Sequence, residues 1–347
     1  MIPQPAGRGV EKKRPALLVG ITATGIIHDD PFVDVEGKFE MVKAEKVFDY
    51  IDRTPPPAEL DAYRHASEKH GIPLLAGGFF YTLGRDEPLL DWNLRVAAQL
   101  GTRVHNVQIR THDAQGTFVS NERVAETYLW AAELGDKYGI CPSFEVHINM
   151  WSEHFGRVEQ VATLVEQRGI PFHMTLDHSH VIFKMDNPRE QEVQGMRPDV
   201  ESGRLILDPY MPGSVTERWI KANWVRHAHA RPAVPANPIN IWARHPDGSF
   251  GRGVQYPFIE PQAGEWHSPW AAHRLEPWKE VVRQLLRHHF EDPGSKLETL
   301  SLEMIANTDY GAGAKYSLFR NNVACASWIR SEWEALCGAH ASKANSS

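Results

Sequence analysis

Hydrophobic and polar residues alternate along CPSFEVHINM, residues 141–150. Phe144, Val146, Ile148 and Met150 share one face; Ser143, Glu145, His147 and Asn149 share the other. A period of two is that of a β-strand whose faces meet different surroundings. Strand-like segments cover residues 16–25, 47–53, 72–81, 103–111, 143–150, 172–180, 224–231 and 297–305. Between them lie amphipathic stretches such as EPLLDWNLRVAAQLG and NERVAETYLWAAELGDKYG, several ending in Gly, a common helix stop. Eight strands alternating with helices predict an α/β fold, a (β/α)8 TIM barrel.

The 347 residues exceed the roughly 250 typical of such a barrel, leaving room for insertions. Long loops are expected after strands 6 and 7, at residues 184–222 and 232–270. Both follow a strand, so both belong to the catalytic face. Their aromatics (Tyr210, Trp242, Phe250, Tyr256, Phe258, Trp266, Trp270) suit a lid or a partner surface. One domain is expected over 1–347, with a core at 16–337 and a tail at 338–347.

Composition narrows the function. A net charge of −7 argues against a nucleic-acid partner, which calls for a basic face. No apolar run approaches the ~18 residues of a membrane span, and the first residues lack a signal peptide's apolar centre, so a cytoplasmic protein is expected. Cys141, Cys325 and Cys337 are odd in number and lack CxxC spacing, which disfavours disulfides and a thiolate zinc site. The 18 His and 11 Trp fit a metal or carbohydrate site.

The same parity applies to the later strands. His173, Thr175 and Asp177 share a face in FHMTLDHSH; His227, His229 and Arg231 in WVRHAHAR; Thr299, Ser301 and Glu303 in LETLSLEMI. Each strand thus points a ligand-capable residue inward near its C-terminal end: Glu145, Asp177, His229, Glu303. Three carboxylates at one mouth resist ionising together without a cation. Oxygens with one imidazole suit Mn2+, Fe2+, Co2+ or Mg2+ better than a structural zinc. Residues i and i+2 of a strand lie roughly 6.5–7 Å apart, so Glu145 and His147 do not share one ion. His147, one step nearer the mouth, sits where a general base or acid belongs. His180 and Arg231 are expected to touch substrate, as are the inward-facing Asn106 and Gln108. His227, deeper than His229, is expected at the edge of that site as a supporting partner.

This pattern resembles the xylose-isomerase-like barrel superfamily of sugar isomerases, keto-sugar epimerases and inosose dehydratases. The likeness rests on the ligand set Glu145, Asp177, His229 and Glu303, on the D-x-x-H run Asp177–His180, on the H-x-H strand His227–His229 and on GRGVQYPF at 251–258. It implies a divalent ion, Mn2+ first, and a small sugar or glycoside substrate. In the epimerases two metal-bound glutamates exchange protons, which implies catalytic roles for Glu145 and Glu303. The added His147 more closely resembles the catalytic subunit of bacterial C-glycoside deglycosidases. That likeness implies a lyase that removes the α-proton of a 3-keto glycoside, with His147 as base, and expels an aglycone. It also allows a small second subunit. The alternative is an isomerase, an epimerase or an inosose-dehydratase-like enzyme, and a non-catalytic sugar-binding barrel ranks last. Endonuclease IV, of the same superfamily, needs extra histidines on earlier strands that this chain lacks.

Overall fold

All eight expected strands form, each shorter than its apolar pattern. They are β1 (Val19–Thr22), β2 (Tyr50–Asp52), β3 (Ala76–Tyr81), β4 (Val104–Ile109), β5 (Cys141–Glu145), β6 (Met174–Asp177), β7 (Val225–Ala230) and, after the hairpin strands β8 (Asn240–Arg244) and β9 (Phe250–Gly251), β10 (Thr299–Leu302). The computed structural model describes residues 15–27 and 33–344. In it the barrel strands are parallel and close in the order β1–β10–β7–β6–β5–β4–β3–β2. This is the (β/α)8 TIM barrel that the pattern predicts.

Helices wrap the barrel where the apolar period lengthens. The helix Asn121–Tyr138 starts at Ser120, whose hydroxyl accepts from the Arg123 amide, and stops at Gly139 in the left-handed region (φ 75°). The helix Glu276–Glu291 buries Trp278, Val281, Val282, Leu285 and Leu286 at three- and four-residue spacing, a stripe facing the core. Inside the barrel, side chains pack in layers. A Cβ at Gly20 would collide with the Tyr50 ring, so glycine makes room for the phenol that reaches Ser301 (2.8 Å).

Two strands stop earlier than their alternation suggests. β5 ends at Glu145, because Ser152 Oγ donates to the Glu145 carbonyl (2.6 Å) and accepts from the His147 amide (3.1 Å). A side chain thereby replaces the next rung of the ladder, and the chain bends, with Asn149 at φ 61°. β6 ends at Asp177 rather than 180, and Ser179–Ile182 forms a helical turn.

The segment 184–222 is no plain loop, since it carries helices at Pro188–Glu192, Arg197–Glu201 and Val215–Lys221. The segment 232–270 carries the two-stranded antiparallel β8–β9 sheet. Most of the expected lid aromatics fold inward: Tyr256 packs with Val234 and Leu275, and Trp242 and Trp266 pack around Tyr316. Tyr210 and Phe250 remain exposed.

A buried ionic quartet ties three of the mouth segments together. Lys184 Nζ lies 3.1 Å from Glu153 Oε1, and Arg252 reaches both Glu153 Oε1 (2.5 Å) and Glu190 Oε2 (2.5 Å). Burial pushes the Glu153 carboxyl up, but the Lys184 and Arg252 charges outweigh it and hold it at about 2.

The last helix runs Leu318–Ala344, so residues 338–344, expected as tail, continue it. The final three residues and the N-terminal stretch 1–14, on which the expected absence of a signal peptide rests, lie outside the described residues. Among the described residues no helix is long and apolar enough to cross a membrane.

Candidate metal centre

Inward parity and barrel register bring the four expected ligands together. Asp177 is level with His229, His229 with Ser301, and Glu145 with Thr175, a stagger that strand tilt compensates. One ligand atom from each of Glu145, Asp177, His229 and Glu303 falls within 4.8 Å of all the others. His229 Nδ1 faces the carboxylates, 2.8 Å from Glu145 Oε1 and 3.1 Å from Glu303 Oε2.

The donor set fits a divalent ion. Three carboxylates against the single Arg231 guanidinium leave two negative charges in a buried space. Burial pushes the Glu145 carboxyl up, but the neighbouring His229 imidazole, by its charge and hydrogen bond, holds it at about 2. Burial likewise works against Asp177, and Arg231 and His180 hold it well below the usual carboxylate range. Burial lowers the His229 imidazole, yet Glu303 and Glu145 push it well above its ordinary value, so a proton takes the place a cation would fill.

Beneath the cluster lies a support that the sequence reading did not identify. Asp52 Oδ2 sits 3.4 Å from His229 Nε2 and 3.2 Å from His227 Nε2, and accepts from Ser301 Oγ (2.7 Å). Burial pushes Asp52 up, and the two histidines more than reverse this. With the Asp52 carboxylate on the Nε2 side, Nδ1 is the nitrogen that faces the three carboxylates and would face an ion held by them. Asp52 shares a face with Tyr50 in VFDYIDR, so the parity applied to later strands would have found it.

Several residues expected at the substrate hydrogen-bond the clustered carboxylates. Arg231 is fully buried; its terminal nitrogens reach Asp177 Oδ2 (2.6 Å) and Glu303 Oε2, and its Nε reaches the Glu303 carbonyl (3.0 Å). Its donors are spent positioning two carboxylates. Asn106 (2.6 Å) and Gln108 both donate to Glu145 Oε2. His227 is buried below the cluster, with Nδ1 2.7 Å from Thr299 Oγ1 and Nε2 3.2 Å from Asp52 Oδ2. His180 keeps Nε2 3.1 Å from Asp177 and leaves Nδ1 without a partner. Burial holds its ring at about 4, so it is neutral.

His147 lies past the end of β5 with its ring 4.4 Å from that of His180. Nδ1 is 2.5 Å from the Ile148 carbonyl and Nε2 is 2.9 Å from the Tyr310 hydroxyl. Tyr310, whose ring also lies under the Arg231 guanidinium at 4.2 Å, sits in the loop after β10, where no periodicity marks it. A cavity of about 90 Å3 opens beside the cluster, against Thr22, Gly78, Asn106 and Gln108.

Similar architecture occurs in solved structures. D-Allulose 3-epimerase from Methylomonas sp., solved with D-allulose, superposes with a TM-score of 0.55 at 9% identity, over 92% of this chain and 98% of that one. The IolI protein with a bound zinc atom gives 0.50 at 13%, over 92% and 99%. A xylose isomerase-like TIM barrel fused to a 4-hydroxyphenylpyruvate dioxygenase gives 0.50 at 14%, over 89% of this chain and 41% of that one. What these structures share with this chain is the closed eight-stranded (β/α)8 barrel. At such identities the likeness is one of architecture. No family model matches the chain, and no curated protein does.

Proposed function

We propose that the protein is a divalent-metal-dependent keto-sugar enzyme of the isomerase or epimerase kind, moving a proton at the carbon beside a ketone. The convergence of Glu145, Asp177, His229 and Glu303 carries this reading. The shared fold of an epimerase solved with its sugar and of a zinc-bound protein supports it. An ion held by these four residues would polarise the ketone and stabilise the enolate. Arg231 holds Asp177 and Glu303 in place, and Asn106 and Gln108 do the same for Glu145. Glu303, at the edge of the cavity, takes the α-proton; isomerisation returns it to the neighbouring carbon, and epimerisation has Glu145 supply a proton at the opposite face.

A second reading is elimination from a 3-keto glycoside, the reaction implied by the likeness to C-glycoside deglycosidases. The state of Glu145 favours it. Two amide donors and a carboxyl held at about 2 make Glu145 a poor base. With Nδ1–H donated to the Ile148 carbonyl, His147 Nε2 carries a lone pair. Elimination needs only that one base, whereas epimerisation needs a proton carrier at each face.

Proton NMR in D2O with Mn2+-loaded protein and a 3-keto glycoside of an aromatic aglycone separates the two. Deuterium entering the sugar without release marks the isomerase or epimerase, and free aglycone marks the lyase. If neither occurs, both readings are refuted. Under the second reading His147→Gln keeps the metal content and abolishes release; retained release removes His147 as the base.

A further inference from the structure

A cavity of about 640 Å3 lies at the pole of the barrel where the strands begin, opposite the metal centre. It opens among the starts of the four strands that end in the metal ligands: Pro142 leads to Glu145, His173 to Asp177, Arg226 to His229 and Glu298 to Glu303. Small residues leave the room. A Cβ at Gly101 or Gly139 would meet nothing within 4 Å, and Ala98 and Ala132 line the space where longer side chains would fill it. The volume falls in the range of roughly 300–1,000 Å3 that holds small organic molecules.

The lining mixes apolar side chains, Ile140, Ile170 and Pro171 among them, with donors that the protein leaves unused. Among the described residues the Arg226 guanidinium has one hydrogen bond, from Nη2 to Glu298 Oε1 (2.6 Å). Its Nε is buried without a partner, and the side chain stays 24% exposed, so the group is not sealed off. His173 Nδ1 is also buried without a partner. Burial and the positive charges of Arg226 and Lys296 hold the His173 ring at about 4, so it offers a hydrogen bond and no charge. Buried polar groups in this state call for a partner, and an acceptor oxygen suits both.

Charge fixes the kind of acceptor. Glu298 is engaged by Arg226, while Arg103 and Asp136, also in the lining, have no ion-pair partner among the described residues. Both charges that act on the His173 ring are positive, which favours an anion at that end. The helices Glu87–Gln99 and Asn121–Tyr138 end at the cavity, and their C-terminal carbonyls, with Asp136, oppose a second negative charge. A singly charged head therefore fits better than a phosphate. We infer that this cavity is a binding site, separate from the metal centre, for an organic monocarboxylate, with its head against Arg226 and His173 and its apolar body along the isoleucine, proline and alanine side chains. The site stands whatever the reaction at the metal centre.

The test titrates the full chain calorimetrically with octanoate and octylamine, which share a tail and differ in the sign of the head. Wild type is expected to bind octanoate at least about tenfold more tightly than octylamine, equally with and without Mn2+. Arg226→Gln should erase that preference, and Ala132→Trp, which fills the cavity, should abolish octanoate binding. Asp136→Asn, at an exposed position, should tighten octanoate about two- to threefold by removing the unpaired negative charge. Thermal unfolding checks that each variant folds; the exposed Asp136 site keeps the test decisive where the other two do not. Absence of octanoate binding in wild type overturns the inference, as does equal affinity for octylamine or an octanoate affinity that Asp136→Asn leaves unchanged. Octanoate binding that requires Mn2+ places the carboxylate at the metal centre and likewise overturns it.

Discussion

Replacing Asp52 with asparagine tests whether the lower layer holds the metal centre in its binding state. The side chain keeps its shape and can keep its oxygen toward the histidines, but loses a charge 3.4 Å from His229 Nε2. At an effective dielectric of about 20, a full unit charge at that distance is worth about 5 kcal/mol. A metal-bound imidazole carries only part of such a charge, and His227 and Ser301 share the same oxygen. A loss of about 1.4–2.7 kcal/mol is therefore expected, a tenfold to hundredfold weaker Mn2+ affinity. Titration of metal-free protein with Mn2+, followed by the electron paramagnetic resonance of the free ion, reads this directly. Ser301→Ala removes one hydrogen bond and leaves the carboxylate, so it should cost less than about threefold. An Asp52→Asn affinity within about twofold of wild type would refute the argument that Asp52 orients His229.

Three further outcomes follow from the geometry. Metal-free His229 is held protonated at neutral pH, so Mn2+ must displace a proton; affinity should rise about tenfold per unit between about pH 6 and 7, and a flat profile would contradict that state. Glu153 titrates at about 2 when folded against 4.5 when free, so its stabilisation is full above 4.5 and lost as pH falls toward 2. That is worth about 3 kcal/mol, and urea unfolding of Glu153→Gln should lose this acid dependence while wild type keeps it. Tyr310→Phe removes the hydroxyl 2.9 Å from His147 Nε2; it should lower kcat about tenfold and leave Mn2+ content unchanged, and an unaltered kcat would take Tyr310 out of the reaction.

The sequence pattern was most legible where one physical rule acted alone. Alternation located all eight barrel strands, and the inward series delivered Glu145, Asp177, His229 and Glu303 to one place. It overran at β5, because Val146, Ile148 and Met150 continue the alternation after Ser152 has taken over the backbone partners. It did not reveal the partners of Arg231, for a different reason. Parity says where a side chain points, but not that both neighbours are carboxylates that will consume its donors. Tyr310 was out of reach, since its place by His147 depends on a loop closing across the mouth.

The quartet of Glu153, Lys184, Glu190 and Arg252 bears on how this scaffold changes over time. Its members come from the segments after β5, β6 and β7, and each leaves a buried charge stranded if its partners are withdrawn. No one of these segments can be exchanged for that of a relative without unbalancing the other two. Recombination and grafting should therefore succeed only when the three travel as a set, while the rim of β3 and β4, outside the quartet, stays free to vary with the ligand.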